Sequence, residues 1–218
     1  MTVDSHAEQS VGLAAVERVV TEIYVPLTEV ERAVVWPNAQ RFENDSEHSY
    51  SLALTSAALA ESVGLDPAKC ALYSTFHDAK ERWAHDTPFF DAELGKTKAT
   101  REEEGLNHIY VDFPEMPIIA TTVLAYEIQD DEEACFVNAL DKLLATYMIF
   151  IEGGSAWKNA GFTHAIYRQK VVALREKIKI HPDVLRWFDE LVARIDQDKD
   201  RLFLPETQEV IGPENYES

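Results

Sequence analysis

One stretch of thirteen residues concentrates the chemistry of this chain: residues 76–88 read FHDAKERWAHDTP. It holds two histidines, three carboxylates and two aromatic side chains, and it begins at the end of an apolar helical run. The adjacent pair His77-Asp78 offers a neutral imidazole and a hard carboxylate oxygen, a mixture that suits a divalent first-row metal. The dipeptide alone is weak evidence, so its meaning depends on further ligands elsewhere in the chain.

The composition is that of one ordinary globular domain. The chain has 218 residues, of which 46% are hydrophobic and 27% are charged, so it can bury a large core. Glycine and proline are sparse, at 8 and 9 residues, which argues against a turn-rich β architecture. The two cysteines, Cys70 and Cys135, both lie in apolar helical patterns, and we interpret them as reduced thiols of a cytoplasmic protein.

The formal net charge of −19 limits the possible partners. Repulsion works against binding a nucleic-acid polymer or an acidic membrane surface. A small phosphorylated substrate stays possible, because one bound cation and a few local arginines or lysines can reverse the field in a pocket. Residues 1–10 are polar, and no apolar run was expected to approach the roughly 18–20 residues that span a membrane. We therefore expect no membrane association and a cytoplasmic location.

The hydrophobic pattern predicts an all-α fold, with no convincing strand and no internal repeat. We expect a disordered lead at 1–9, a single helical domain at 10–204 and a polar tail at 205–218. Asp66 and Pro67 predict a helix start, and Asp45 or Ser46 another. Residues 82–95 are predicted to form a loop. Helices are predicted at 11–24, 28–35, 46–63, 67–77, 96–109, 116–126, 134–151, 156–180 and 182–201, the last two being long C-terminal helices.

Two further residues have the chemistry of metal ligands. Asp141 lies in an apolar helical run, where a carboxylate is costly to bury unless it is paired or bound to a cation. Its neighbour Lys142 is a poor partner, because adjacent helical residues do not face each other. His48, near a helix start, taken alone is more often a satisfied histidine than a ligand. Together with His77 and Asp78, these residues form a possible four-ligand set from three helices.

The spaced motifs resemble those of the HD-domain metal-dependent phosphohydrolases, and most closely the 5′-deoxynucleotidase branch. An isolated histidine, a later His-Asp pair and a distant aspartate stand here as His48, His77-Asp78 and Asp141. The resemblance covers about residues 30 to 150, with the motifs in the same order. It is carried by RFENDSEHS (41–49), HDAKE (77–81), DTP (86–88), REEE (101–104) and EEACFV (132–137).

This resemblance implies an HD-domain helical bundle and one divalent cation, which could be Co, Mn, Fe, Zn or Mg. The ligands it implies are His48, His77, Asp78 and Asp141. The family's glutamate at the position of Glu81 orients or deprotonates the attacking water, so Glu81 is the implied catalytic residue. Asp86 corresponds to a carboxylate that contacts the substrate near the sugar.

Two positions depart from the family pattern. His85 stands where the nucleotidases have a glycine, and it is either a surface histidine or a residue that reshapes the pocket. The bacterial nucleotidase of this branch holds phosphate and nucleoside with an adjacent Arg-Trp pair, whereas three residues separate Arg32 from Trp36 here. We predict Arg32 as a phosphate clamp and Trp36 as a stacking surface, with ordinary surface packing as the alternative. Arg41 could bind phosphate or pair with Glu43 or Glu47.

Three functions are compatible with these residues. The leading prediction is a metal-dependent phosphomonoesterase that removes the 5′-phosphate from deoxynucleoside monophosphates. The first alternative is a deoxynucleoside triphosphohydrolase of the same superfamily, since the shared motifs bind metal and water rather than count phosphates. The second is a non-catalytic module with a structural metal or a bound nucleotide. Family resemblance also favours a homodimer.

Overall fold

The computed structural model describes residues 12–37, 41–85 and 96–206. The predicted lead at 1–9 lies outside these residues, as does the predicted polar tail from residue 207 onward. The described part confirms the all-α prediction, since the protein is 75% helical with two short strands. The elements are α1 (Leu13–Val19), a π-helical turn (Val20–Tyr24), α2 (Val25–Leu27), β1 (Glu31–Val35), β2 (Phe42–Asn44), α3 (Asp45–Ala60), a 3₁₀ turn (Glu61–Val63), α4 (Pro67–Phe76), α5 (Glu81–Ala84), α6 (Lys98–Asp112), α7 (Pro117–Ile128), α8 (Glu132–Glu152), α9 (Ser155–Asn159), α10 (His164–Ile178), α11 (Pro182–Gln197) and α12 (Lys199–Leu202).

A β-hairpin replaces the helix predicted at 28–35, so that prediction is wrong. β1 and β2 pair antiparallel, with Glu31 opposite Asn44 and Val35 opposite Phe42 around an irregularity in register. Adjacent β-branched valines and alternating burial, with Val34 inside, favour the extended chain over a helix. The inward-facing side chains of the hairpin lie next to the start of α3.

The N-cap residues of two helices show where local sequence signals were sufficient to predict a helix start. Asp66 caps α4 as predicted, accepting hydrogen bonds from the backbone N–H groups of Ala68 and Lys69. α3 is capped by Asn44 rather than by Asp45 or Ser46. The Asn44 side chain accepts from the Glu47 N–H, and Glu47 accepts from the Asn44 N–H, which completes a capping box.

The helix predicted at 156–180 is divided in two. α9 ends at Asn159, Gly161 adopts a φ of +77°, and Thr163 caps the start of α10. A left-handed residue cannot continue a right-handed helix, which is why the chain turns here. The turn brings Leu204 against Phe162, whose carbonyl accepts a 2.9 Å hydrogen bond from the Leu204 N–H.

α8 is the central helix of the bundle and contacts α3, α4, α10 and α11. Its inward face includes the fully buried residues Phe136, Val137 and Ala139. By length and composition alone it could cross a membrane, with a mean hydropathy of 1.5 over its most apolar 18 residues. The expectation that no run approaches this length is therefore wrong. Its apolar character follows from its place between the other helices.

Replacing Gly154 with alanine should destabilise the fold more than the same change at Gly161. Both glycines have a φ of +77°, so both alanines carry the same backbone strain, of about 1 kcal/mol. At Gly154 the new methyl group would lie 2.8 Å from the Cα of Leu202 and closer still to its carbonyl oxygen, whereas nothing lies within 4 Å at Gly161. We expect an additional loss of about 2 kcal/mol in the free energy of unfolding for Gly154→Ala. Equal losses in urea unfolding would contradict the close packing of α12 on this turn.

Candidate metal centre

Three helices bring the four predicted ligands together. His48 lies in the first turns of α3, and His77 and Asp78 follow the last residue of α4. Asp141 lies in the middle of α8. The two histidine rings face each other with centroids 5.3 Å apart, and both are almost fully buried. Residues distant in sequence thus share one small volume.

Three of the four predicted ligands form a compact group. His48, His77 and Asp78 each offer one ligand atom, and these atoms lie within 4.8 Å of one another. The Nε2 atom of His77 lies 2.9 Å from Oδ2 of Asp78, and the Nε2 atom of His48 lies 4.0 Å from the same oxygen. Such spacing fits two imidazoles and a carboxylate directed at one cation.

Asp141 lies beside this group without being part of the most compact cluster. Its Oδ1 atom is 2.9 Å from Nε2 of His48. Its other oxygen is 3.8 Å from Nζ of Lys142, which is a long ion pair. Lys142 was predicted to be a poor partner for this carboxylate. The role of Asp141 as a fourth ligand stays a prediction.

The imidazoles are oriented as metal ligands are. Nδ1 of His77 lies 2.9 Å from the carbonyl oxygen of Ser74, which holds the proton on Nδ1 and leaves the Nε2 lone pair directed inward. The Nε2 atoms of His48 and His77 are both buried, and each has a carboxylate oxygen at 2.9 Å that does not lie in hydrogen-bonding geometry. A buried ring nitrogen without a hydrogen bond is costly, and a cation would satisfy both.

Arg32 lies behind the ligands and contacts three carboxylates. Its Nη1 atom is 3.1 Å from Oδ1 of Asp45 and 3.1 Å from Oδ2 of Asp78, and its Nε atom is 3.5 Å from Glu43. Glu43 and Asp45 are only 1% and 0% exposed. The sequence analysis did not predict that these two carboxylates are buried, because it predicted a helix, and not a strand, around Arg32. The alternation of side chains along β1 was the signal that could have revealed it.

The charge states of three predicted ligands favour cation binding, whereas the pKa of His77 is raised, because Asp78 favours its imidazolium form more than burial opposes it. The pKa of Asp78 lies well below its usual range, because His77 and Arg32 favour the carboxylate more than burial opposes it. The pKa of Asp141 is also lowered; burial opposes this, but His48 and Lys142 favour the anion. Burial lowers the pKa of His48, as does the neighbouring Arg32. Ionised carboxylates and a neutral imidazole are the forms that bind a metal.

Glu81 begins α5 and lies next to these groups. It is 3% exposed, and across the described residues its Oε2 atom has no hydrogen-bond partner. Lys98 is the nearest cation, with Nζ 4.0 Å from Oε1. Burial, together with the charge of Asp78, raises the pKa of Glu81 to about 9.

A cavity of about 590 Å³ opens onto the ligands, a size typical of small-molecule sites. Asp78, Glu81 and Asp141 line it, so two of the predicted ligands and the predicted catalytic residue reach the same space. Cations also line it, in a protein of strongly negative net charge: Arg32, Lys80, Lys98, Lys142, Lys170 and Lys177. The cavity can therefore receive an anionic small molecule.

The remaining predicted site residues are less central. Asp86 lies outside the described residues, as does most of the loop predicted at 82–95, although Glu81–Ala84 is helical. Trp36 is not among the described residues that line the cavity; the Arg41 guanidinium lies 5.2 Å from its ring centroid. Arg41 also pairs with Glu47 at 2.6 Å, which favours the pairing alternative over phosphate binding. The exposed His85 has a φ of +58°.

Substitution of Asp78 with asparagine should reduce the affinity for a divalent cation by about 100-fold or more, because the amide oxygen carries no charge. Asp141→Asn should have a comparable effect if Asp141 is a ligand, and only about a tenfold effect if it acts by orienting His48. Isothermal titration of Mn²⁺ or Co²⁺ into chelator-treated protein measures both. Asp131→Asn, at a helix cap away from the cavity, is the control. Unchanged affinity for Asp78→Asn would exclude this centre.

Comparison with known proteins shows the family of this chain. Residues 26–180 match the model of the HD domain family. The chain is 30% identical over 153 residues to the 5′-deoxynucleotidase of Erwinia tasmaniensis, covering 64% of this chain and 77% of that protein. It also resembles the crystal structure of a predicted metal-dependent phosphohydrolase from Magnetospirillum magnetotacticum MS-1, with a TM-score of 0.75, 27% identity, and coverage of 88% and 96% of the two chains. The protein belongs to the HD-domain family of metal-dependent phosphohydrolases, and its cofactor is a divalent metal ion.

Proposed function

We propose that this hydrolase removes the 5′-phosphate from deoxynucleoside monophosphates. The observation that carries the proposal is Glu81, a buried carboxyl group with one oxygen lacking a partner among the residues described, in a cavity beside the predicted metal ligands. A structural metal site needs no such group. The similarity to the Erwinia 5′-deoxynucleotidase supports the choice of substrate.

His48, His77, Asp78 and Asp141 would hold the cation. A divalent ion bound there supplies a Lewis acid that polarises a phosphoryl oxygen and lowers the pKa of water. Asp78 and Asp141 supply two negative charges that keep the ion in place, and the two imidazoles complete the set. The ligands come from separate elements, so the packing of α3, α4 and α8 determines their positions.

Glu81 is assigned the proton transfer. Its Oε2 atom accepts the proton of the attacking water, and the carboxyl group then holds that proton for the leaving oxygen of the sugar. The raised pKa of Glu81 in the protein alone makes the protonated form stable. With a divalent cation held by the predicted ligands, the carboxylate form of Glu81 would be favoured, and its pKa would move towards the range that a general base needs.

Arg32, Asp86 and Trp36 are assigned to the substrate. Arg32 lines the cavity beside Asp78, so its guanidinium can contact a phosphate oxygen while it retains its carboxylate partners. Lys98 and Lys142 line the same cavity and add positive charge. Asp86 is proposed to contact the sugar, and Trp36 to contribute a stacking surface near the end of β1.

Two other functions stay as alternatives. A deoxynucleoside triphosphohydrolase would use the same ligands, and it is distinguished by release of triphosphate rather than orthophosphate. A non-catalytic module would bind nucleotide without hydrolysing it. The unpartnered Glu81 oxygen favours an enzyme over that second alternative.

We also propose a homodimer located in the cytoplasm, without a nucleic-acid polymer as partner. The net charge of −19 supports the last point, because repulsion disfavours a polyanion. The free cysteines Cys70 and Cys135 are compatible with a reducing compartment. Sedimentation of the purified protein at micromolar concentration tests the dimer; a single monomeric species would exclude it.

A panel of metals and nucleotides tests the proposed reaction. Protein supplied with Co²⁺ or Mn²⁺ should release orthophosphate from deoxynucleoside 5′-monophosphates, and excess chelator should abolish the release. Colorimetric phosphate assay, with chromatography of the nucleoside product, measures both. Triphosphate release from deoxynucleoside triphosphates would favour the first alternative. Absence of turnover across the whole panel would exclude the proposal.

Substitution of Glu81 with glutamine should separate catalysis from metal binding. The amide has nearly the same shape but cannot accept the proton, so we expect kcat to fall by about 100-fold or more while the metal affinity stays within about threefold. Steady-state kinetics and metal titration measure the two quantities. Glu127→Gln, which removes a carboxylate paired with Lys80 at the cavity wall, is the matched control. A Glu81→Gln enzyme with normal kcat would remove Glu81 from the mechanism.

A further inference from the structure

The cavity changes character along its length. At one end lie the ionic groups Asp78, Glu81 and Asp141, and the other part is lined mainly by apolar and aromatic side chains, with Lys170 among them. The apolar and aromatic members include Ile149, Trp157, Phe162, Tyr167, Val171 and Leu174. A ligand that fills the whole cavity should therefore carry its charge at one end and an uncharged ring at the other.

The order of residues on α8 and α10 shows that these two ends are distinct. Lys142, next to Asp141, lies close enough to Lys177 for the two charges to interact. Trp157, just beyond the end of α8, has its ring 5.0 Å from that of Tyr167. The two helices therefore run antiparallel along the cavity. Asp141 and Ile149 are eight residues apart on α8, or about 12 Å.

Tyr167 has an unusual environment at the apolar end. Its side chain is 3% exposed, and its ring packs on Trp157 and Phe203 at centroid distances of 5.0 Å. Tyr167 lines the cavity, its hydroxyl group is buried, and no hydrogen-bond partner for that group exists in the part of the chain that the structure describes. Buried hydroxyl groups are nearly always hydrogen-bonded, so a partner from outside the protein is expected.

We propose that the apolar end of the cavity binds the nucleobase of the substrate, and that the Tyr167 hydroxyl donates a hydrogen bond to an acceptor on the edge of the base. This inference rests on the proposed function, and it places the base beside Tyr167 in the cavity instead of on Trp36, which is not among the described residues that line the cavity. The Tyr167 ring is already packed against aromatic neighbours, so the contact uses its hydroxyl rather than a stacked face. Tyr167 acts on substrate specificity, while Glu81 and the metal ligands act at the phosphate.

Tyr167→Phe tests the assignment, because phenylalanine keeps the ring packing and removes only the hydroxyl. We expect KM for deoxynucleoside 5′-monophosphates to rise about tenfold with kcat nearly unchanged, the loss of one hydrogen bond in binding. Turnover of 2-deoxyribose 5-phosphate, which lacks a base, should not change. The same comparison can be made without turnover by titrating a deoxynucleoside monophosphate into metal-loaded Glu81→Gln protein, with and without Tyr167→Phe. The Kd should be about tenfold higher when Tyr167→Phe is present.

Tyr147→Phe is the matched control, since Tyr147 lies on α8 with its side chain 39% exposed and is not among the described residues lining the cavity. It should leave KM unchanged. If Tyr167→Phe stays active and its KM is unchanged for every base, the base assignment is overturned but the proposed function is not. The partner of the hydroxyl group would then be a water molecule. An equal loss with 2-deoxyribose 5-phosphate also overturns the base assignment. A wild-type protein that hydrolyses none of these esters contradicts the proposed function, and the base assignment with it.

Discussion

The centre depends on the interaction of the Asp78 carboxylate with two side chains at once, those of His77 and Arg32. One carboxylate oxygen lies 2.9 Å from His77 and 3.1 Å from Arg32, and the side chains of both partners are largely buried. Burying these charges separately would be prohibitively costly, but together they compensate one another. Arg32 also contacts Asp45, so the hairpin, the start of α3 and the end of α4 are held by one guanidinium. The metal-binding atoms are thus positioned before any cation arrives.

The central helix α8 combines two demands that usually conflict. It is apolar enough to form the middle of the bundle, yet it carries Asp141 and Lys142 on the side that faces the cavity. A carboxylate there is tolerable because His48 lies 2.9 Å away and the cavity admits solvent or ligand. The same helix continues to Ile149 at the apolar end. One element therefore spans the ionic and apolar parts of the site.

The distribution of charge explains how an acidic protein can bind an acidic substrate. The net charge of −19 repels polyanions over the whole surface, but arginine and lysine side chains are concentrated around this cavity. At physiological ionic strength, charges more than about 8 Å away are largely screened. The local field then depends on Arg32, Lys98 and Lys142 together with the cation, and this field favours a phosphate.

The sequence by itself determined the helical class, because helical periodicity is local. It also identified His48, His77 and Asp78 as candidate metal ligands, because the spaced motifs are readable in order. It also located Asp141 as an anomaly within an apolar run. Only the tertiary structure decided that residues near Arg32 form a hairpin, since a five-residue strand is stabilised by its pairing partner rather than by its own propensity. The placement of Tyr167 in the cavity wall likewise depends on packing between distant helices, which no local pattern encodes.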